Sequence, residues 1–163
     1  MAVERVGTST STRTAGPGTH LRPMQESDLA GVMACEHAAY AFPWNLVAFT
    51  ESLRVGYNCW IAEVEQAVVA HGVMSVGADE CHVLNLCVHP DWQGKGIGRR
   101  MLHRLLGLAQ ERGADTAFME VRVSNTAARG LYAAEGFCEI GTRRNYYPAQ
   151  RGREDAVVLA RAL

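Results

Sequence analysis

The sequence predicts a single α/β domain, and three observations carry that prediction. Some segments repeat apolar residues at helical spacing, while others are short β-rich runs bounded by turn residues. The two kinds interleave in the order β-α-α-β-β-β-α-β-α-β-β. With 163 residues, 48% of them hydrophobic, the chain can bury one substantial core, and it shows no internal repeat or second domain.

Each element has a local reason. Residues 1–18, rich in Ser, Thr and Gly and without an apolar core, read as a disordered tail rather than a signal peptide, leaving 19–163 as the domain. His20 to Met24 can start a strand. Ser27 or Asp28 can cap a helix through Tyr40, with Leu29, Val32, Met33 and Tyr40 on one face. Phe42-Pro43-Trp44 breaks it, and Asn45 caps a second helix to Val55, with Trp44 and Phe49 placed as a hydrophobic staple and Gly56 as the stop. Tyr57–Val64 and Ala67–Val76 form a hairpin around a two-residue turn, and Cys81–Val88 is a further strand. The helix after Gly98 buries Leu102, Leu105, Leu106 and Ala109 and ends at Gly113. Thr116–Val123 is a strand, and Ser124–Glu135 a short helix capped by Ser124. Phe137–Arg144 and Glu154–Ala162 are two last strands around a polar loop.

Composition excludes several functions. A net charge of −1 argues against a nucleic-acid surface. No apolar run approaches the ~20 residues of a membrane span. The five cysteines, at 35, 59, 81, 87 and 138, are odd in number and include no CxxC pair. They read as buried thiols of a reducing cytoplasm rather than a disulfide framework or metal site. His71, His82 and His103 form no spaced ligand set, so no metal is expected. No motif speaks to the oligomeric state.

The stretch from Asn85 to Arg99 is the most informative. An apolar strand meets His89-Pro90, then the loop Gln93-Gly94-Lys95-Gly96-Ile97-Gly98, then an amphipathic helix. Such a turn lines up backbone N–H groups where they can hold a phosphate. It is not a P-loop, because Gly96 follows Lys95 where Ser or Thr is required. Nor is it a dinucleotide fingerprint, because Arg99 stands where the third glycine should be. Lys95 is the only lysine among sixteen basic residues, either incidentally or as a compact charge beside a pyrophosphate. Glu120 stands in the apolar run Thr116–Val121, either as a carboxylate on a solvated face or as a general base raised by an apolar wall. Tyr132 shares a helical face with Ala128, the placement of a core aromatic with its hydroxyl at the rim.

Taken in order, QGKGIG, a strand bearing Glu120, and S-N-x-x-A-x-x-x-Y-x-x-x-G-F resemble the GNAT acetyl-CoA-dependent N-acetyltransferases. The runs LNLCVHPDWQGKGIGRRML, MEVRVSNTAARGLYAAEGF and RRNYYP followed by GREDA are similar to the RimI-type ribosomal-protein-alanine N-acetyltransferases. So is Ala41-Phe42-Pro43-Trp44. The resemblance runs from about His20 to the C-terminus. It implies a mixed, mostly antiparallel sheet flanked by helices, with acetyl-CoA as cosubstrate. Leu86, Cys87 and Val88 would pair through their backbone with the pantetheine arm and polarise the thioester. Gly94, Lys95, Gly96, Ile97, Gly98 and Arg99 would hold the pyrophosphate, with Asn125 further along the coenzyme. Glu120 would accept a proton and Tyr132 donate one. The Arg143–Pro148 loop would shape the peptide entrance, with Tyr146 or Tyr147 lining the slot. The implied acceptor is the N-terminal alanine of a small-subunit ribosomal protein.

The chemistry sets its own limits. An α-amine, with pKa near 8, loses its proton at pH 7 for about 1.4 kcal/mol, whereas a lysine near 10.4 requires roughly 4.6 kcal/mol. One modest base suffices for the first and not for the second. Two rivals remain: a broader protein or small-molecule N-acetyltransferase, and a non-catalytic acyl-CoA-binding module. The presence of both Glu120 and Tyr132 weighs against the second. Cys87 beside the pantetheine path reads as a small buried strand residue rather than an acyl relay. Arg99, Arg100 and Arg104 are solvated, or one of them meets the 3′-phosphate.

Overall fold

The computed structural model describes residues 18–163, so all of the expected tail but Gly18 lies outside the described residues. Eleven elements follow in the expected order: β1 (His20–Pro23), α1 (Leu29–Ala39), α2 (Leu46–Arg54), β2 (Asn58–Val64), β3 (Ala67–Gly77), β4 (Glu80–Val88), α3 (Ile97–Glu111), β5 (Thr116–Arg122), α4 (Thr126–Ala134), β6 (Cys138–Pro148) and β7 (Arg153–Ala162). One seven-stranded sheet has the order β1-β2-β3-β4-β5-β7-β6. Every neighbouring pair is antiparallel except β4 with β5. Among the described residues, no helix is long and apolar enough to cross a membrane.

Two apolar layers cover the sheet. On one face Met101, Leu102, Leu105 and Leu106 of α3 pack on Ala70, Met74 and Met119. On the other, Val32 of α1 and Phe49 of α2 pack on Ile61 and Val73. Phe49, fully buried, rests against Trp44 with ring centroids 5.3 Å apart, the expected staple. Asn45 caps α2 by accepting from Ala48 N at 2.9 Å.

Four local expectations need correction. Ser27 and Asp28 belong to a short 3-10 turn, and neither side chain caps α1. Asp28 instead takes two 2.8 Å hydrogen bonds from Arg22, a geometry a sequence pattern cannot distinguish from a cap. Tyr40 is not on the helical face, because the chain turns extended there (φ −123°). The cap of α4 is Asn125, which accepts from Ala128 N at 3.1 Å, while Ser124 N donates to Glu154. Finally, the expected polar loop after Arg144 is mostly strand. β6 continues to Pro148 through a register break between Arg143 and Tyr147, where Asn145 takes φ +50°.

A buried polar group ties α1 to the sheet. Glu36 is 1% exposed; its Oε1 accepts from Trp44 N at 2.9 Å and from Asn85 Nδ2 at 3.2 Å. Its Oε2 lies 3.1 Å from His71 Nε2, a contact not aligned as a hydrogen bond. Burial pushes the Glu36 carboxyl up, but His71, Trp44 N and Asn85 together outweigh burial and hold it below the usual carboxylate range. One carboxylate therefore fixes α1, β3, β4 and the segment leading into α2.

The sign of the pH dependence follows. A carboxyl depressed in the folded state stabilises fully above its unfolded pKa, and that contribution is lost as pH falls through the depressed value. Glu36→Gln is expected to lower unfolding free energy in urea by about 2 kcal/mol or more at pH 7, since it removes a buried charge from partners left unpaired. The difference between wild type and variant should shrink as pH is lowered from 7 to below the usual carboxylate range. An equal difference at both pH values would contradict the assignment.

Candidate active site

β4 and β5 are parallel and pair only from Glu80 to Val83 against Thr116 to Met119. Beyond that they part, leaving a gap between the last residues of each strand. β4 also slips by one residue against β3, so that Val73 faces Asn85 while Met74 faces Val83. An inserted residue reverses which side chains point to which layer. Asn85 and Cys87 accordingly turn toward α1, while Leu86 and Val88 face the α3 side.

An open groove of about 850 Å³ follows the gap to the N-terminus of α3. It is lined by every residue expected to meet the coenzyme except Cys87 and Lys95. Gly94 and Gly96 take φ +74° and +79°, the left-handed region that a side chain would strain. Gly96 is the cap of α3 and has no side chain to satisfy the helix, so the N–H groups of Ile97, Gly98 and Arg99 stay available along the groove. Lys95 does not line the groove; its Nζ sits 4.6 Å from the centre of the ring of Trp92, which does. Of the three arginines at this end of α3, Arg99 lines the groove, with its Nε 2.6 Å from Glu135. Arg104 stacks over Trp60.

Cys87 lies behind the groove. Its Sγ is 3.9 Å from that of Cys35, and both thiols are 1% exposed. Contact with Cys35 and burial push the Cys87 thiol well above its usual range, so it stays protonated. His71 brings a third ligand atom to these two, all within 4.8 Å of one another, a convergence that sequence spacing does not reveal.

A smaller cavity of about 270 Å³ adjoins the groove, and Tyr40, Phe42, Leu86, Arg122, Asn125 and Tyr132 border both. Tyr132 stands at this junction. Its ring is 7% exposed and packs edge-on to Phe137 at 6.0 Å, while its other side borders the junction. Burial raises the Tyr132 hydroxyl above the usual phenol range, so it holds its proton at neutral pH. Asn125 uses its Oδ1 to cap α4, which leaves its amide N–H groups for any ligand.

Glu120 borders the smaller cavity from β5, with its side chain 21% exposed. The wall beside it is not apolar: Arg143 Nε lies 3.1 Å from its Oε1. Tyr147 lines the cavity, and Tyr146 does not. Tyr146 instead buttresses Tyr147, with ring centroids 4.9 Å apart. Arg122, two residues beyond Glu120 on the same strand face, places its guanidinium 4.5 Å over the Tyr147 ring and donates to Pro148 O. Burial, then the charge of Glu120, moves the Tyr147 hydroxyl up to about 12.

The two C-terminal signatures hold each other. Arg153 donates to the carbonyls of Asn145 and Tyr146 at 2.6 and 2.7 Å, and Asp155 accepts from Asn145 N at 2.8 Å. GREDA thus clamps the bulge of RRNYYP that aims Tyr147 inward. Sequence reasoning missed Tyr40, Glu36, Asn85 and Arg122. Only Arg122 carried a usable signal, its even spacing from Glu120 on one strand face.

Known proteins share this sequence pattern and this fold. The profile of the acetyltransferase (GNAT) family matches residues 29–137. The [ribosomal protein bS18]-alanine N-acetyltransferase of Escherichia coli K12 is 37% identical over 137 residues, covering 84% of this chain and 93% of the relative. The Haemophilus influenzae protein of the same name is 33% identical over 139 residues, covering 84% and 94%. The crystal structure of the E. coli ribosomal-protein-S18-alanine N-acetyltransferase superimposes with a TM-score of 0.83 at 35% identity, covering 88% of this chain and 93% of that one.

Proposed function

This chain belongs to the acetyltransferase (GNAT) family and is an acyltransferase; from that premise we propose that it moves the acetyl group of acetyl-CoA to the N-terminal α-amine of a protein. The acceptor we propose is the N-terminal alanine of a small-subunit ribosomal protein, on the strength of relatives named for that reaction. The observation that carries the reading is the junction where Leu86 and Tyr132 border both the long groove and the smaller cavity. A thioester laid along the first meets an amine entering from the second.

In this reading the groove's glycine turn and helix N-terminus receive the pyrophosphate through backbone N–H groups. The backbone of β4 beside the gap polarises the thioester carbonyl. Glu120 accepts the amine proton, directly or through water, and an incoming ammonium competes with Arg143 for that carboxylate. The amine nitrogen then bonds to the carbonyl carbon, and the carbon–sulfur bond breaks. Tyr132 gives its proton to the departing thiolate and recovers one from solvent or from the amine path. Tyr147, held by Arg122 and Tyr146, limits the size of the first acceptor residue.

Two measurements test the proposal. Tyr132→Phe should keep acetyl-CoA binding while lowering kcat by ~10²-fold or more, the usual worth of a positioned proton donor. Near-normal turnover would reduce Tyr132 to a core aromatic. In the second, kcat/KM is measured for paired peptides: one with a free N-terminal Ala, one already acetylated there with an internal Lys, and one beginning with Trp. The free-Ala peptide should lead by a wide margin, because lysine deprotonation costs roughly 3 kcal/mol more and Trp exceeds the slot. Equal rates for the Ala and Lys peptides would favour a broader acetyltransferase. Acetyl-CoA binding without turnover of any peptide would favour a binding module.

A further inference from the structure

The open edge of β4 has an asymmetry that neither motif nor spacing reveals. His89 N donates to Val69 O at 2.8 Å, and the register pairs Cys87 with His71, Leu86 with Gly72 and Val88 with Ala70. Opposed residues in an antiparallel ladder alternate between pairs that exchange hydrogen bonds and pairs that do not. With His89 and Val69 bonded, Cys87 and His71 fall in the bonded set, whereas Leu86 and Val88 do not. The N–H and C=O groups of Leu86 and Val88 therefore point away from β3, into the gap left where β4 parts from β5. Cys87 faces β3 with its backbone as well as α1 with its side chain.

On that open edge both carbonyls already have a donor. Tyr40 Oη donates to Leu86 O at 2.7 Å, and Gln93 Nε2 donates to Val88 O at 3.0 Å. Among the described residues, no loop carbonyl accepts from Leu86 N or Val88 N. We propose that Tyr40 is a positioning residue for acyl transfer, whose bond to the Leu86 carbonyl offsets that oxygen's negative charge and fixes the peptide, so that the Leu86 N–H keeps its direction toward the reacting thioester. The inference rests on the acetyl-transfer reading above and names a part of that same site.

The physical reason is the charge that develops during the reaction. When the amine adds, the thioester oxygen becomes an oxyanion, and stabilisation depends on donors fixed before the charge appears. A bare backbone carbonyl beside that oxygen would repel it and would also compete for the amine proton. The Tyr40 hydroxyl offsets the negative charge of the carbonyl oxygen and pins Leu86 in place, so that its N–H keeps one direction. Leu86 and Val88 N–H lie about 7 Å apart along the strand. That spacing is comparable to the run from a thioester carbonyl to the next amide carbonyl of an extended pantetheine arm. Tyr40 is suited to the task. It follows directly on α1, its N–H is held by Glu36 O at 3.0 Å, and its ring borders both cavities. Burial keeps its hydroxyl protonated.

The test uses acetyl-CoA labelled with carbon-13 at the thioester carbonyl, bound to the whole protein without acceptor, and difference infrared spectroscopy. In the wild type the labelled band should lie below that of free acetyl-CoA. In Tyr40→Phe, which removes one oxygen and leaves the ring, the band should return toward the free frequency. With the N-terminal-alanine peptide, kcat should then fall roughly tenfold or more, while the KM for acetyl-CoA changes by less than about threefold. A variant band at the wild-type position would overturn the role of Tyr40 and leave the acetyl-transfer reading standing. A wild-type band at the free frequency would instead overturn polarisation by β4, and this inference with it.

Discussion

The groove and the cavity of the candidate active site both depend on the parting of β4 from β5. Two parallel strands that stayed paired would exchange their backbone hydrogen bonds and present a closed surface. Here they pair over only four residues each, Glu80–Val83 with Thr116–Met119, and then diverge. The divergence leaves unpaired backbone groups at Leu86 and Val88 on one side and brings Glu120 and Arg122 to the other. The one-residue slip of β4 against β3 sharpens the effect, because it turns Leu86 and Val88 to the groove while Asn85 and Cys87 anchor the strand behind it. Leaving backbone polar groups unpaired next to a core is unfavourable unless something else fills the gap. In the free protein Tyr40 and Gln93 fill part of it.

Keeping the gap open requires stiff walls, and the sequence provides them at two places. Behind β4, the buried Glu36 carboxylate joins α1, the Trp44 segment and Asn85, fixing the strand that carries the groove. A charge buried without such partners would be strongly destabilising, so the cluster holds together or fails together. Across the gap, Arg153 and Asp155 of β7 hold Asn145 in its left-handed turn, which aims Tyr147 inward. Arg122 then packs its guanidinium on Tyr147 and reaches Pro148 O. In the proposed reading, specificity for a small first residue would come from this held tyrosine.

Local signals made the element order readable. Asn45 as a cap, Trp44 with Phe49 as a staple, and the two-residue hairpin turn at Glu65-Gln66 each depend on neighbours in sequence. The glycine turn was readable for the same reason, since Gly94 and Gly96 announce a backbone that few other residues adopt. Long-range partnerships were not. Glu36 meets Asn85 from 49 residues away, and no spacing rule connects them. Asp28 looked like a cap because its preference for helix starts is indistinguishable from its preference for Arg22. RRNYYP looked like a loop because its polarity and its Pro hide a bulged edge strand. Tyr40 looked like one more aromatic on a helix, and only the extended turn at its own Cα sends it to Leu86.

The central claim is that groove and cavity meet at one point, where thioester and N-terminal amine react without a covalent enzyme intermediate. The most direct measurement is the affinity of a conjugate joining coenzyme A through an acetyl bridge to the α-nitrogen of an alanine-initiated peptide, determined by calorimetry against coenzyme A alone. If the two cavities join at Tyr132, the conjugate should bind at least ~10²-fold more tightly than coenzyme A, since linking makes the second contact intramolecular. The same peptide joined through an internal lysine should gain far less. A conjugate that binds no better than coenzyme A would contradict the account.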